Sequence, residues 1–558
     1  MFERLRARKE WKFFAVLPRA NRPLAVVWWL IVVLRGVLPA VFAIAMGVLV
    51  SAVQHSESLV AGLALVGAIF VLLQILAPIQ QAVGANLGDR TAAWLYDRLT
   101  DACVRPPGMG HLENPELTSD LTVARDFDLG MTGPPLFISM DFIASGLVEM
   151  IGGLASAVVL AAYAWWAPIL LAGAWLATHW LLRESAVWFD RNTPEVRSAQ
   201  RDADYAYRLA VDPPASKELR LFGLAGWTID RFVNRRTKLY KLQYEATRLR
   251  ERPVLWSMLL IVGANVIVFW ALAASAVNRH LDLGHLVMFA QSAIGTSMIA
   301  FGGLNWALDG AAAPVAAVLR LEPEMEPAGR LPSGSRKADG LPTREIRFRN
   351  VTFGYPGCGR VLEGFDLTIP AGTSLAIVGQ NGAGKTTLAK IITGLYSAEN
   401  GELVLDGERI TDENREYYRQ HFSAIFYDFH LFESLLGLEK PNLDDYAREG
   451  LARLQLTHKV TIQDGVLSTT QLSQGQRKRL ALLTATLEDR PIYVFDEWAA
   501  DQDREFREFF YRYLLPDLKA KGKMVLIICH DDQYFDVADR IIKLESGRII
   551  YDGVPVAS

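Results

Sequence analysis

Cysteine is scarce in this chain: three residues, Cys103, Cys358 and Cys529, in a sequence of 558. Three thiols cannot build a disulfide framework, and their spacing is not that of a zinc site. Reduced thiols on the cytosolic side are the expectation. An excess of one charge is also missing. The formal net charge of −3 gives no reason to expect a nucleic-acid partner. No short-period repeat runs along the chain. The basic N-terminus, with Arg4, Arg6, Arg8, Lys9 and Lys12, is followed by no evident small-residue cleavage site. The apolar run after it is far longer than the core of a signal peptide. Apolar sequence, by contrast, is abundant and unevenly placed. The N-terminal part carries long apolar runs, whereas the C-terminal part reads as soluble α/β sequence. Both the length and this split argue for more than one domain.

Six stretches are long and apolar enough to span a bilayer: Leu24–Val53, Leu59–Gly84, Leu136–Ala164, Ala167–Trp188, Pro253–Val277 and Leu286–Leu308. The first covers about 45 Å as a helix, against about 30 Å of hydrocarbon, so it is expected to project beyond the membrane. Lys and Arg crowd the N-terminus and the connections after spans two and four. They are absent after spans one and three, and only Arg279 follows span five. The positive-inside rule then puts both termini in the cytosol. The two long cytosolic connections read as continued helices, each broken near its far end by Arg105-Pro-Pro-Gly108 or Asp212-Pro-Pro214. Glu322–Glu345, rich in Pro, Gly, Ser and charge, reads as a semi-flexible linker.

The chemistry lies beyond that linker. Gly379-Gln-Asn-Gly-Ala-Gly-Lys-Thr-Thr387 fits the Walker A pattern, G-x-x-x-x-G-K-T. An apolar strand, Leu375–Val378, precedes it and a helix, Thr386–Tyr396, is expected after it. In that setting the glycines let backbone N–H groups close around phosphates. Lys385 reaches the β- and γ-phosphates, and Thr386 offers its hydroxyl to Mg²⁺. Further on, Pro491-Ile-Tyr-Val-Phe-Asp-Glu497 reads as a buried strand ending in two carboxylates. Asp496 is expected to hold Mg²⁺ directly or through water, and Glu497 to act on the water that attacks the γ-phosphate.

Between these two motifs, Leu472-Ser-Gln-Gly-Gln476 resembles the LSGGQ signature of ABC ATPases, with Gln474 where the consensus has Gly. Ser473 and Gly475 open an expected helix, Gly475–Asp489, whose N-terminus attracts anions. The order Walker A, signature, Walker B is similar to that of exporter-type ABC half-transporters over nearly the whole chain. The resemblance implies an all-α six-span transmembrane domain (1–321), a linker (322–345) and an α/β P-loop ATPase domain of ABC type (346–558). It further implies ATP and Mg²⁺ as cofactors and an ATP contact set of Tyr355, Gly379, Asn381, Gly382, Gly384, Lys385, Thr386, Thr387, Ser473, Gly475, Gln476 and Asp503. Within that set Tyr355 stacks on adenine and Asp503 closes the D-loop. Thr386 and Asp496 are the metal ligands, and Glu497 and His530 the catalytic pair. Short coupling helices are implied at the two cytosolic turns, with Lys217-Glu-Leu-Arg-Leu-Phe-Gly223 matching the second. A signature of this kind completes a partner's P-loop, so a homodimer is implied, in membrane lipid, with two equivalent sites.

One family residue is missing. Where these domains carry Gln after a short strand, the chain reads Ile425-Phe-Tyr-Asp428. Tyr427 is therefore kept out of the metal ligands and expected at a domain interface, near Phe222. The run Val494-Phe-Asp-Glu-Trp-Ala-Ala-Asp-Gln-Asp503 resembles the bacterial subgroup that exports cyclic peptides and peptide siderophores, with Trp498 where Pro is usual. His530-Asp-Asp-Gln-Tyr-Phe and the missing Gln fit that subgroup as well. The resemblance implies ATP-driven export of a peptide-like product across the bacterial plasma membrane by alternating access, with the ATPase domain cytosolic. No peptidase domain precedes the first span, so leader cleavage is not expected. Import, lipid flipping and a nucleotide-gated sensor or channel remain open on the same fold, although Glu497 argues against the sensor. Inside the spans, Arg35, Asp141, Glu149 and His179 are ionisable and costly in lipid. They line a cavity for a cationic or hydrogen-bonding substrate, or they pair between helices. Asn265, Gln291 and Asn305 read as interhelical amides.

Overall fold

The computed structural model describes residues 9–555 apart from 107, 115–116, 118–120, 122–123, 125–134, 185–193, 248–250, 279, 298–303, 329–341, 356–358, 412–413, 436–437, 439–440 and 530–531. The chain forms two compact units. One holds residues 1–100 and 119–321, the other residues 101–118 and 322–558.

The first unit is helical. Its elements are α1 (Lys9–Ala20), α2 (Arg22–Gln54), α3 (Val60–Val104), α5 (Leu136–Ala161), α6 (Trp166–Glu184), α7 (Pro194–Val211), α8 (Ser216–Leu221), α9 (Ala225–Thr247), α10 (Glu251–Val277), α11 (Leu283–Ser297) and α12 (Leu304–Ala328); α4 (Gly110–Glu113), the end of α3 from Asp101 and the end of α12 from Glu322 belong to the second unit. Among the described residues four helices are long and apolar enough to cross a membrane: Arg22–Gln54, Val60–Val104, Leu136–Ala161 and Leu255–Val277. The fourth expected span falls in α6, of which the side chains of Trp166–Ala177 are described, those of the rest of the span lying outside the described residues. The sixth is divided between α11 and α12 by residues 298–303, which lie outside the described residues. Six spans are thus not established. The 45-residue α3 reaches about 68 Å at 1.5 Å per residue, so it extends well past the hydrocarbon. Both proline breaks fall as read: α3 ends before Arg105-Pro106, and α7 before Asp212-Pro213-Pro214, with α8 following a single 3₁₀ turn.

Apolar side chains on these helices point outward in number, Val60, Val158 and Trp270 among them. Helices whose outer surface is as apolar as lipid gain little from hydrophobic burial against each other, and close packing takes over. Small residues supply it here. A Cβ on Gly284 would lie 2.5 Å from the Gly47 carbonyl oxygen, and one on Gly47 would lie 2.9 Å from that of Gly284, so α2 and α11 touch through backbone. Polar side chains add specific links. Ser297 donates to Asn265 Oδ1 (3.2 Å), joining α11 to α10, and Tyr163 and Ser275 share a hydrogen bond of 2.9 Å. Arg35 donates to the buried Gln80 (2.8 Å), an interhelical pairing. Asp141 and Glu149 are half-buried on α5, and one Glu149 carboxylate oxygen is buried without a hydrogen-bonding partner. The side chains of His179 and Asn305 lie outside the described residues.

The second unit is α/β. A six-stranded sheet runs in the order β12-β11-β3-β10-β9-β6, and a four-stranded antiparallel sheet in the order β2-β1-β4-β5. The strands are β1 (Glu345–Gly354), β2 (Arg360–Pro370), β3 (Ser374–Gly379), β4 (Asn400–Leu405), β5 (Glu408–Arg409), β6 (Phe422–Ile425), the small ribbon β7 (Ile462–Gln463) and β8 (Val466–Leu467), β9 (Ile492–Asp496), β10 (Met524–Ile528), β11 (Arg540–Glu545) and β12 (Arg548–Gly553). The helices are α13 (Lys385–Ile392), α14 (Arg415–Arg419), α15 (Leu443–Arg453), α16 (Gln474–Glu488), α17 (Arg504–Phe509) and α18 (Leu515–Ala520), with one π turn, Phe510–Leu514, between the last two. Strands β9 and β10 are buried at every residue, as unbroken apolar runs in a covered parallel sheet must be.

The stretch expected as a linker begins as helix: α12 continues to Ala328 with Met325 fully buried. The turn after α3 belongs to the second unit. There Tyr396 donates to the Glu113 carboxylate (2.5 Å), and the buried His111 ring meets the Cys103 carbonyl (2.8 Å).

Candidate nucleotide site

Parallel register brings the separate motifs to one edge. Ile528 on β10 is level with Ile377 on β3 and with Asp496 on β9. The glycine loop therefore leaves β3 beside the carboxylates ending β9, at the carboxyl edge where open α/β sheets bind ligands.

The loop backbone explains its glycines. Gly379 has φ 150, Gly382 φ 82 and Gly384 φ 96. At Gly379 the space is also closed, since a Cβ would lie 2.3 Å from the Leu544 carbonyl oxygen on β11. Asn381 and Gly382 are exposed at the crest. Lys385 opens α13 and is buried, its ammonium donating to the Gly379 and Gln380 carbonyls at 3.0 and 3.1 Å. Thr387 shares a hydrogen bond of 3.2 Å with the Tyr355 hydroxyl, so the loop helix and the aromatic are joined. The Tyr355 ring meets Tyr396 edge-on at 5.5 Å.

Asp496 is completely buried. Burial lifts its carboxyl above the usual carboxylate range; the Thr386 hydroxyl opposes this, and the charge of Glu497 adds to it. Neither carboxylate oxygen reaches a donor in good hydrogen-bond geometry. Two orphaned oxygens beside the Thr386 hydroxyl form an oxygen donor set of the kind hard divalent cations take. Glu497 falls just past β9 in a left-handed conformation, φ 50 and ψ 36, that non-glycine residues seldom adopt. Its N–H donates to the Ile528 carbonyl (3.1 Å).

The signature lies at the start of α16. Ser473 caps the helix by accepting from Gln476 N–H (3.4 Å), while the Gln476 side chain accepts from Ser473 N–H (3.2 Å). This reciprocal box occupies both residues and leaves Ser473 and Gln474 exposed. Gly475 is needed for packing, because a Cβ there would lie 2.8 Å from the Asp501 carbonyl oxygen. Gln502 donates to the Gly475 carbonyl (3.1 Å). Asp503, expected at the nucleotide, caps α17 from its own side: it accepts from Phe506 N–H (2.8 Å) and pairs with Arg479 (2.6 Å). These partners, Phe506 first, hold its carboxyl below the usual range. Among the described residues no hydrogen bond or ion pair joins Ser473, Gly475 or Gln476 to Gly379–Thr387. The structure thus joins Tyr355 to the glycine loop and sets the loop beside Asp496 and Glu497 at the strand ends, while the signature packs on Asp501 and Gln502. His530 lies outside the described residues.

Sequence reasoning missed two residues that bind this region together. Trp498 was read only as a replacement for Pro. It is buried, stacks on Phe510 at 4.5 Å, and donates its indole N–H to the Lys478 carbonyl at 2.9 Å. Trp498→Ala is expected to lower the thermal midpoint of the ATPase domain by on the order of 10 °C, from about 3–5 kcal/mol of lost packing. Trp498→Phe keeps the stack and should recover most of it, as differential scanning calorimetry of the purified chain would read. The second missed residue is Lys478. Its place in Arg477-Lys-Arg479 suggests a solvated run, yet it stands on the buried stripe with Leu482 and Ala485, at i, i+4 and i+7.

Residues 362–500 match the ABC transporter family. These residues, all within the second unit, thus form a domain of the ABC transporter type. The chain is 54% identical over 215 residues to the ATP-binding protein SyrD of Pseudomonas syringae pv. syringae, covering 37% of this chain and 38% of that protein. It is 32% identical over 247 residues to an ATP-dependent lipid A-core flippase of Haemophilus influenzae (42% and 40% covered). With the corresponding flippase of Escherichia coli K12 it shares 32% identity over 224 residues (38% and 38%). The matches thus span about two fifths of each relative's length.

Proposed function

We propose that this chain is one half of an ATP-driven exporter of peptide-like molecules in the bacterial inner membrane, working as a homodimer with both termini and the ATPase domain in the cytosol. The observation that carries this reading is the union, in one chain, of a glycine loop level with two strand-end carboxylates and helices long enough to cross a bilayer. Lys385 leaves the loop carbonyls for the β- and γ-phosphates of ATP. Tyr355, Asn381 and Thr387 border the nucleotide. Thr386 and Asp496 would hold Mg²⁺, which would supply neutralisation of phosphate charge. Glu497 orients and deprotonates the attacking water, with His530 at the γ-phosphate. The exposed start of α16 meets the γ-phosphate held by the second copy, where a helix N-terminus favours anions. Two such composite sites bias a two-state dimer. Moving it from 1:99 to 99:1 takes about 5.5 kcal/mol of differential binding.

The peptide-like cargo rests on the resemblance carried by Trp498, Tyr427 and the segment after His530. A second reading, lipid flipping, is favoured by the likeness to lipid A-core flippases. Proteoliposomes separate the two. Cyclic peptides or lipids are screened for stimulation of Mg²⁺-dependent ATPase, and the direction of transport is then followed. Stimulation by lipids alone would replace the peptide reading. In the membrane, the buried Glu149 oxygen and Asp141 are the groups offered to a cationic or hydrogen-bonding cargo. Arg35 is committed to Gln80.

A further inference from the structure

Lys478 is the one basic residue of Arg477-Lys-Arg479 with no solvent exposure. A buried ammonium persists only when paired and hydrogen-bonded, and its partners here are specific. Its Nζ donates to the backbone carbonyl of Glu497 (2.8 Å), pairs with the Asp501 carboxylate (2.7 Å), and lies 5.6 Å from the centre of the Tyr427 ring, within cation–π range. Its own carbonyl accepts the Trp498 indole N–H. One residue of α16 therefore grips Glu497 and Trp498 at once, through its ammonium and its carbonyl. The left-handed backbone of Glu497 lies between its N–H, donated to the Ile528 carbonyl, and the carbonyl that Lys478 holds. A disfavoured conformation of this kind lasts only where its surroundings over-determine it.

We propose that Lys478 is a positioning residue for ATP hydrolysis: its buried ammonium fixes the backbone from which the Glu497 side chain projects and ties it to Asp501 and to Tyr427. The proposal rests on the reading of Glu497 as the group that acts on water. Tyr427 stands at the position where the family carries Gln, so the lysine and the tyrosine together link the loop after β6 to the end of β9 by a route that uses no metal ligand.

The chemistry offers a test that keeps the fold intact. Removing the exposed Asp501 carboxylate alone would strand the buried Lys478 ammonium, whereas replacing both by neutral groups of similar size spares that cost. The full-length chain in lipid nanodiscs is assayed for Mg²⁺-dependent ATPase, with ATP titrated, as wild type, Lys478→Gln and the double variant Lys478→Met/Asp501→Asn. The double variant is expected to keep a near wild-type thermal midpoint and a KM for ATP within about threefold, and to lose at least tenfold in kcat. Lys478→Gln, whose amide can still donate to the Glu497 carbonyl, is expected to fall between the two. Wild-type kcat in the double variant overturns the proposal. So does a loss of kcat that merely follows a lowered midpoint and weakened ATP binding, since that is the mark of a structural role. A wild-type protein without Mg²⁺-dependent turnover overturns the ATPase reading of Glu497, and this proposal with it.

Discussion

Glu497→Gln is expected to bind ATP with near wild-type affinity and to hydrolyse it about 10²–10⁴-fold more slowly, the range for loss of a positioned general base. The substitution exchanges one carboxylate oxygen for an amide nitrogen at constant size. It leaves untouched the backbone contacts that hold this position: the N–H to Ile528 and the carbonyl that accepts from Lys478. Packing at this end of β9 therefore persists while the proposed proton acceptor is gone. In the proposed dimer hydrolysis is the resetting step, so the variant should collect in the ATP-bound closed form. Native mass analysis in mild detergent with saturating ATP would show it as a stable pair of identical chains. Near-normal turnover of the purified variant would remove Glu497 from the general-base role, and a monomeric mass would count against the homodimer.

Lys385→Ala is expected to be comparably severe, through a different term. Lys385 is the only lysine or arginine between Gly379 and Thr387, and loss of a preorganised donor to developing charge costs about 10²–10³ in kcat. The buried ammonium also satisfies the Gly379 and Gln380 carbonyls. The variant therefore leaves two loop acceptors without their donor, and ATP affinity should fall along with turnover. A nucleotide titration and a turnover assay on the same preparation decide the matter, and two unchanged curves would contradict the assignment. A near wild-type thermal midpoint would show that the effect belongs to the loop.

Much of this site was legible because its information is local. The glycines, Lys385 and Thr386 lie within a few residues of one another, and their φ angles follow from the absence of a Cβ. The apolar run of β9 announced a buried strand, since a strand covered on both faces has no solvent face to alternate with. The proline pairs after Arg105 and Asp212 marked the helix ends for a similar reason, because a proline supplies no N–H to continue the ladder. Composition misled where tertiary burial overrode it. The Pro- and Glu-rich start of 322–345 reads as linker, yet α12 continues to Ala328 with Met325 inside.

The sequence by itself determined the class of chemistry, the order of the nucleotide motifs and the presence of membrane-length apolar helices, because each is written in contiguous residues or in their period. The tertiary structure alone decided which side chains those motifs lean on. Successive residues of a helix point about 100° apart, so the docking of α16 chose Lys478 for burial and left its neighbours partly exposed. Sheet register set Asp496 level with Ile528 and Ile377, and chain packing joined Glu113 to Tyr396 across more than 280 positions. Such contacts depend on where elements meet in space, and no local pattern of residues encodes that.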